Sequence, residues 1–180
     1  MGDKLILSTR RLALVCLTVS QLEGCLDNLP ALDAELGFPI AREVIDVNVV
    51  RALGMKLVRL SAMPIEQHPW QTYWLIVLKE KPVGIGLVGF KGYPNMEGET
   101  EIGYGVAPEY QRKGYMTEAV RALCDWVFSH PFVNAVTATT VTNPASNRVL
   151  EKVGAQIVSA DEKSTNWKIY RQISPTNTTG

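Results

Sequence analysis

Histidine and cysteine are scarce in this 180-residue chain, with two of the first and three of the second. His68 and His130 lie far apart, and Cys16, Cys25 and Cys124 form no CxxC pair, so no zinc-type ligand spacing is present and no metal is expected. Three scattered cysteines do not make a disulfide framework, which points to a reducing cytoplasm. Neither sign of charge is in excess: Lys plus Arg and Asp plus Glu both number 18. That balance excludes a global electrostatic pull toward nucleic acid or membrane, so any basic site is local. No apolar run approaches the ~20 residues of a membrane span. Arg10-Arg11 before LALVCLTV imitates an export signal, but the run is short, lacks a small-residue cleavage site and soon meets Glu23 and Asp27. It is read as a strand.

The patterns that are present describe one domain over residues 1–173 with a polar, disordered tail at 174–180. RLALVCLT alternates and opens the chain as a strand. A helix follows with Ser20 as its cap, Pro30 and Pro39 interrupt the next stretch, and apolar spacing from Arg42 to Met63 predicts a second helix. PIEQHPW reads as a loop. TYWLIVLKE, PVGIGLVGFKG and TEIGYGVAP read as three strands, the first two as a hairpin. Gly114 to Ser129 carries an apolar helical stripe of Met116, Ala119, Val120, Leu123 and Val127. NAVTATTV is a strand, PASNRVLEKVG a helix with Pro144 first and Gly154 just beyond, and AQIVSA and NWKIYRQI are closing strands. Hairpins mixed with helical crossovers give the α/β class: one mixed, mostly antiparallel twisted sheet with helices on both faces.

Two stretches bear on anion binding. GIGLVG matches the dinucleotide fingerprint letter for letter, yet it lies inside a strand pattern and is followed by a turn-rich loop where a helix start is required. Glycines lightening a strand account for it better. QRKGYM instead follows a strand and precedes a strong amphipathic helix. A helix start leaves backbone N–H groups free at its positive end, Gly114 lets the chain turn, and Arg112 and Lys113 add charge. These parts suit a phosphate or pyrophosphate, and equally a solvated basic turn.

EIGYGVAPEYQRKGYMTEAVRAL resembles the central motif of the GNAT family of N-acetyltransferases, Q/R-x-x-G-x-G/A between a strand and a helix. TRRLAL, WLIVLKEKPVGIGLVGF and NPASNRVLEKVGA resemble more narrowly the branch that acetylates ribosomal-protein N-termini. The likeness covers most of residues 9–173 and is strongest after Gln71. One departure is Met116, where glycine or alanine is usual; its side chain is expected to point back along the helix or into the core, leaving its amide free.

The resemblance implies an acyl-CoA N-acyltransferase fold and acetyl-CoA as donor. It places the pyrophosphate on Gln111, Arg112, Lys113, Gly114, Tyr115, Met116 and Thr117. It places the pantetheine beside TEIGYGVA, on a strand splayed from its neighbour, often at a bulge. The amides of Tyr104 and Val106 then hold the thioester carbonyl, and Asn143 touches the pantetheine as well as capping its helix. Ser146 is implied as proton donor to the leaving thiolate, although a hydroxyl at a helix start often only bonds locally. Glu101 is the candidate general base. Alternation sets Glu99 and Glu101 on one face, which reads as acidic and attractive to a cationic amine. Cys124 on the helical stripe reads as core rather than nucleophile. Trp70, Tyr73 and Trp74 read as core or as an acceptor wall. The activity implied is direct attack of a primary amine on the thioester, the acceptor being a protein N-terminus or a small amine and the chain a monomer or homodimer. A non-catalytic acyl-CoA sensor or scaffold is the alternative, and it would keep QRKGYM without requiring Glu101 or Ser146.

Overall fold

The computed structural model describes residues 5–172. The expected tail at 174–180 lies outside them. Eight strands form one sheet in the order β1-β2-β3-β4-β5-β6-β8-β7. They are β1 (Ile6–Ser8), β2 (Leu12–Cys16), β3 (Trp74–Leu78), β4 (Gly84–Phe90), β5 (Glu99–Val106), β6 (Ala135–Val141), β7 (Gln156–Ala160) and β8 (Thr165–Tyr170). Every neighbouring pair is antiparallel except β5 and β6, which are parallel. The mixed, mostly antiparallel sheet expected from the sequence is therefore present.

The helices are α1 (Val19–Asp27), α2 (Leu29–Leu36), α3 (Val47–Ser61), α4 (His68–Gln71), α5 (Tyr115–Phe128) and α6 (Pro144–Lys152). Two apolar layers sandwich the sheet. On one face Met116, Ala119, Val120, Leu123 and Val127 of α5, with Leu150 of α6, pack on Leu12, Leu14, Ile76, Val88 and Ile102. On the other, Leu22, Leu32, Leu53 and Leu60 of α1 to α3 pack on Val15, Leu75, Val77 and Leu87. Among the described residues no helix is long and apolar enough to cross a membrane.

The N-terminal half departs from its sequence reading. A short strand, β1, precedes the expected first strand and pairs with it around Thr9-Arg10-Arg11. The first helix is capped by Thr18 rather than Ser20, in a reciprocal capping box with Gln21. Pro30 does not interrupt structure; it sits in the first turn of α2, where its missing N–H has no intrahelical partner to lose. The helix expected from Arg42 begins only at Val47, capped by Asp46, after a single 3-10 turn. PIEQHPW is not loop but a 3-10 turn leading into α4.

GIGLVG forms most of β4 and is wholly buried. A Cβ on Gly86 would stand 2.4 Å from the Gly105 carbonyl oxygen, and one on Gly89 would stand 2.5 Å from that of Thr72. These glycines admit close backbone approach inside a sheet; they form no phosphate turn.

Candidate active site

The site is built where β5 leaves β6. Their pairing runs from Glu99↔Ala135 to Glu101↔Thr137 and stops. β5 itself keeps unbroken register with β4, from Phe90↔Ile102 to Gly86↔Val106. The irregularity lies in β6, between Ala138 and Val141, where Thr140 has φ 53° and its amide turns to the Asn166 side chain. The splay is thus not made by a bulge in β5.

That geometry decides which amides are open. Lys91 N–H donates to the Glu101 carbonyl, and Ala107 N–H to that of Ile85. In an antiparallel ladder alternate residues face the same partner, so the amides of Gly103 and Gly105 point to β4. Those of Tyr104 and Val106 point the other way, into the splay, beyond the last β6 pair. Gln111 Nε2 donates to the Val106 carbonyl at 3.4 Å and ties the end of the strand to the following turn.

The turn and helix start complete the concavity. Arg112 has φ 63° and Gly114 φ 77°, so the chain reverses through left-handed backbone just before α5. Gly114 caps α5 with no side-chain hydrogen bond, which leaves the first amides of Tyr115, Met116 and Thr117 uncapped. Met116 turns into the core at 7% exposure, as its position on the apolar stripe requires. Lys113 Nζ lies 5.5 Å from the Tyr110 ring centroid.

Sequence reasoning missed what holds this turn. Arg11, in the β1–β2 hairpin, donates from Nη1 to the Lys113 carbonyl at 2.9 Å and from Nε to Glu118 Oε2 at 2.7 Å, and covers the Tyr115 ring at 4.6 Å. Glu118 Oε1 also accepts from Thr9 Oγ1 and the Arg11 amide. Burial pushes the Glu118 carboxyl up, but these bonds and the Arg11 charge outweigh it and hold the group below its ordinary value. TRRLAL carries part of the family resemblance but no sign of this latch, because contact with residues over a hundred positions away leaves no local trace. A groove of about 870 Å³ runs from this latch along α5, reaching Gly114 and Thr117 but not Glu101.

Glu101 lies on the opposite face of β5 from α5. Lys91 Nζ sits 2.5 Å and Thr139 Oγ1 2.7 Å from its Oε1; Oε2 has no protein partner among the described residues. Burial raises the Glu101 pKa, but Lys91 and Thr139 bring it below the ordinary value. Glu99 pairs with Lys168 at 2.5 Å. The acidic face read from alternation is therefore neutralised by Lys91, just past the end of β4, and by Lys168 of β8. A Cβ on Gly105, on the same face, would meet nothing within 4 Å, so the strand is left bare there.

α6 closes the other side of the splay. Asn143 caps it, its side chain accepting from the Ala145 amide at 2.8 Å. Ser146 is half-buried in the first turn, and the Tyr104 hydroxyl donates to its carbonyl at 3.1 Å. Tyr104 thus brings a side-chain hydroxyl to the place where the sequence offered only Ser146; burial pushes its pKa up and keeps it neutral. Cys124 is buried in the core, its thiol pushed up to about 12 by burial and by Asp125. Trp70 and Trp74 are core, whereas Tyr73 lines a small cavity beside Gly103.

Residues 48–156 match the family model described as acetyltransferase (GNAT) domain. An uncharacterized N-acetyltransferase of Bacillus subtilis (strain 168), YjdG, is 34% identical over 95 residues, covering 52% of this chain and 56% of its own. The chain spans about half the length of the curated relatives it matches. The ribosomal-protein-S5-alanine acetyltransferase from Vibrio fischeri superposes with a TM-score of 0.62 at 18% identity, over 91% of this chain and 94% of that one. The microcin C7 self-immunity acetyltransferase MccE, solved with acetyl-CoA and AMP, gives 0.55 at 16% identity, over 90% and 92%. Likeness at such identities shows the fold.

Proposed function

Because the chain belongs to the acetyltransferase (GNAT) domain family, we propose that it is an N-acetyltransferase taking its acetyl group from acetyl-CoA and passing it directly to a primary amine. The observation that carries this reading is one strand with two functions. β5 turns the Tyr104 and Val106 amides into an open splay, bears Glu101 on its other face, and runs into an uncapped helix start.

Acetyl-CoA, when bound, supplies an acyl group on a thioester. The chain's own groups do the rest. The uncapped amides of Tyr115, Met116 and Thr117, the left-handed turn at Arg112 and Gly114, and the charges of Arg112 and Lys113 form a cradle for a diphosphate. Gln111 keeps that cradle in step with the end of β5. Tyr104 and Val106 aim their amides where negative charge develops on a carbonyl oxygen. Glu101 is ionised at neutral pH, fixed through Oε1, with Oε2 free to take a proton from the incoming ammonium through water. Ser146 stands as proton donor to the leaving sulfur, and the Tyr104 hydroxyl, donating to the Ser146 carbonyl, ties that turn of α6 to β5. Asn143 sets the first turn of α6 and edges the pantetheine path.

The neighbour named as a ribosomal-protein-alanine acetyltransferase supports a protein N-terminal amine as acceptor, with a small amine as the other class. The test is thiol release and product mass after incubation with acetyl-CoA and a panel of peptides, amino acids and polyamines. Glu101→Gln should lower the rate by about 10²–10³-fold and leave CoA affinity unchanged. Tight CoA binding with no product from any amine would return the chain to the role of an acyl-CoA sensor.

A further inference from the structure

Beside Glu101, on the face of β4 and β5 away from α5, lies a cavity of about 230 Å³. Lys56, Arg59, Gln71, Tyr73 and Lys91 line it, over Gly89 and Gly103. Its chemistry is one-sided. Lys56 is buried on α3, donates to the Gln71 and Phe90 carbonyls at 2.6 and 2.8 Å, and lies over the Tyr73 ring at 4.5 Å. Tying α3 to β4 would explain Lys56 alone. It does not explain its companions.

Arg59 reaches only the Lys91 carbonyl, at 3.2 Å, and no carboxylate lies within ion-pair distance of it among the described residues. Gln71 is 2% exposed, and its Nε2 is the one buried side-chain nitrogen among the described residues without an acceptor. Buried donors are ordinarily satisfied, so an orphan on the wall of a cationic cavity marks a place for an acceptor the chain does not supply. Among the described residues no carboxylate lines the cavity, and Glu101, bonded to its Lys91, is also engaged by Thr139.

We propose that this cavity receives a carboxylate of the acceptor, so that the amines acetylated carry a carboxylate several bonds from the nitrogen. The proposal rests on the transferase reading of Glu101. Gly103 is two residues from Glu101 on the same strand face, on the order of 7 Å. Part of that span is taken up by the Glu101 carboxylate and the water that meet the amine, and the remainder fits the reach of an extended glutamate side chain. It is too long for an α-amine and its own α-carboxylate.

The test has two arms, both on the full chain with CoA present. In the first, glutarate, which has no amine, is titrated while the Gly89 and Gly103 amide resonances are followed. Saturable shifts are expected in the wild type and in Arg51→Gln, a change elsewhere on α3. Binding about 10-fold weaker is expected in Arg59→Gln, whose exposed position leaves the core intact. In the second arm acetyl transfer is compared for glutamate against glutamine, and for peptides beginning with Glu against Gln. The carboxylate member should be faster by about 10-fold in at least one pair, and Arg59→Gln should erase the difference. The two pairs tell a free amino acid from a peptide end. Glutarate shifts that do not saturate, or that are unchanged by Arg59→Gln, overturn the proposal. Equal rates within both pairs overturn it and leave the transferase reading standing. Glutarate binding through Arg59 without turnover of any amine keeps the anion site and removes the transferase reading instead.

Discussion

Arg11 offers the sharpest test of how the anion cradle is held. Its guanidinium spans the turn, bonding the Lys113 carbonyl on one side and Glu118 on the other. The side chain is 34% exposed and that of Glu118 18%. The ion pair therefore contributes about 0.5–1 kcal/mol after solvent screening. The bond from a charged donor to a carbonyl adds about 1 kcal/mol. Arg11→Ala should lose roughly 1–2 kcal/mol of stability, read by urea unfolding. If the same contacts hold the turn in its binding shape, a comparable cost reappears when a ligand must reshape it. CoA affinity, measured by calorimetry, should then fall about 5–30-fold. Arg11→Lys keeps the charge but not the fork, and should recover only part of this. The effect is pH-dependent through Glu118. Its folded pKa lies below the ordinary 4.5, so its stabilisation is complete above that value and lost as pH falls through the lowered one. The gap between wild type and Arg11→Ala should narrow in acid by the ion-pair share and keep the share of the Lys113 carbonyl bond. Unchanged CoA affinity in Arg11→Ala, beside reduced stability, would refute the reasoning and leave Arg11 a staple between hairpin and helix.

Three further outcomes follow from the same geometry. Gly105→Val places a side chain in open space on the acceptor face and should fold normally while transfer falls at least about 10-fold, whereas Gly86→Ala collides with the Gly105 carbonyl and should lower Tm. Ser146→Ala and Tyr104→Phe separate the two hydroxyls at α6: if Ser146 is the donor, its loss should slow turnover about 10–100-fold and that of the Tyr104 hydroxyl should act mainly on stability. Burial, then the Arg59 and Lys91 charges, pushes Lys56 down to about 7 from 10.5. The unfolded chain binds the extra proton between those values, so wild-type stability should rise with pH across that window and Lys56→Met should flatten the rise in urea titrations.

Much of the second half of the fold was legible because its signals are local. Pro144 and Gly154 bracket α6, and the Met116 to Val127 stripe announces α5. The N-terminal half was read less well. Pro30 looks like a breaker until its place in the first turn of α2 is known, and three-residue β1 is too short to carry a period. In the site, Gly114 and the uncapped start of α5 followed from sequence order, because a strand-turn-helix is contiguous. The partners of Glu101 did not. Lys91 and Thr139 come from outside β5, so the charge of that face depended on sheet register.

By itself the sequence determined the elements from β3 onward, the glycine-centred basic turn and the carboxylate on the strand before it, because capping, periodicity and backbone freedom act over a few residues. The tertiary structure alone decided which amides of β5 stay open, that Arg11 clasps the turn, and that Lys56, Arg59 and Gln71 meet around one cavity. Those arrangements depend on where strands stop pairing and on contacts between distant segments, which no short-range rule encodes.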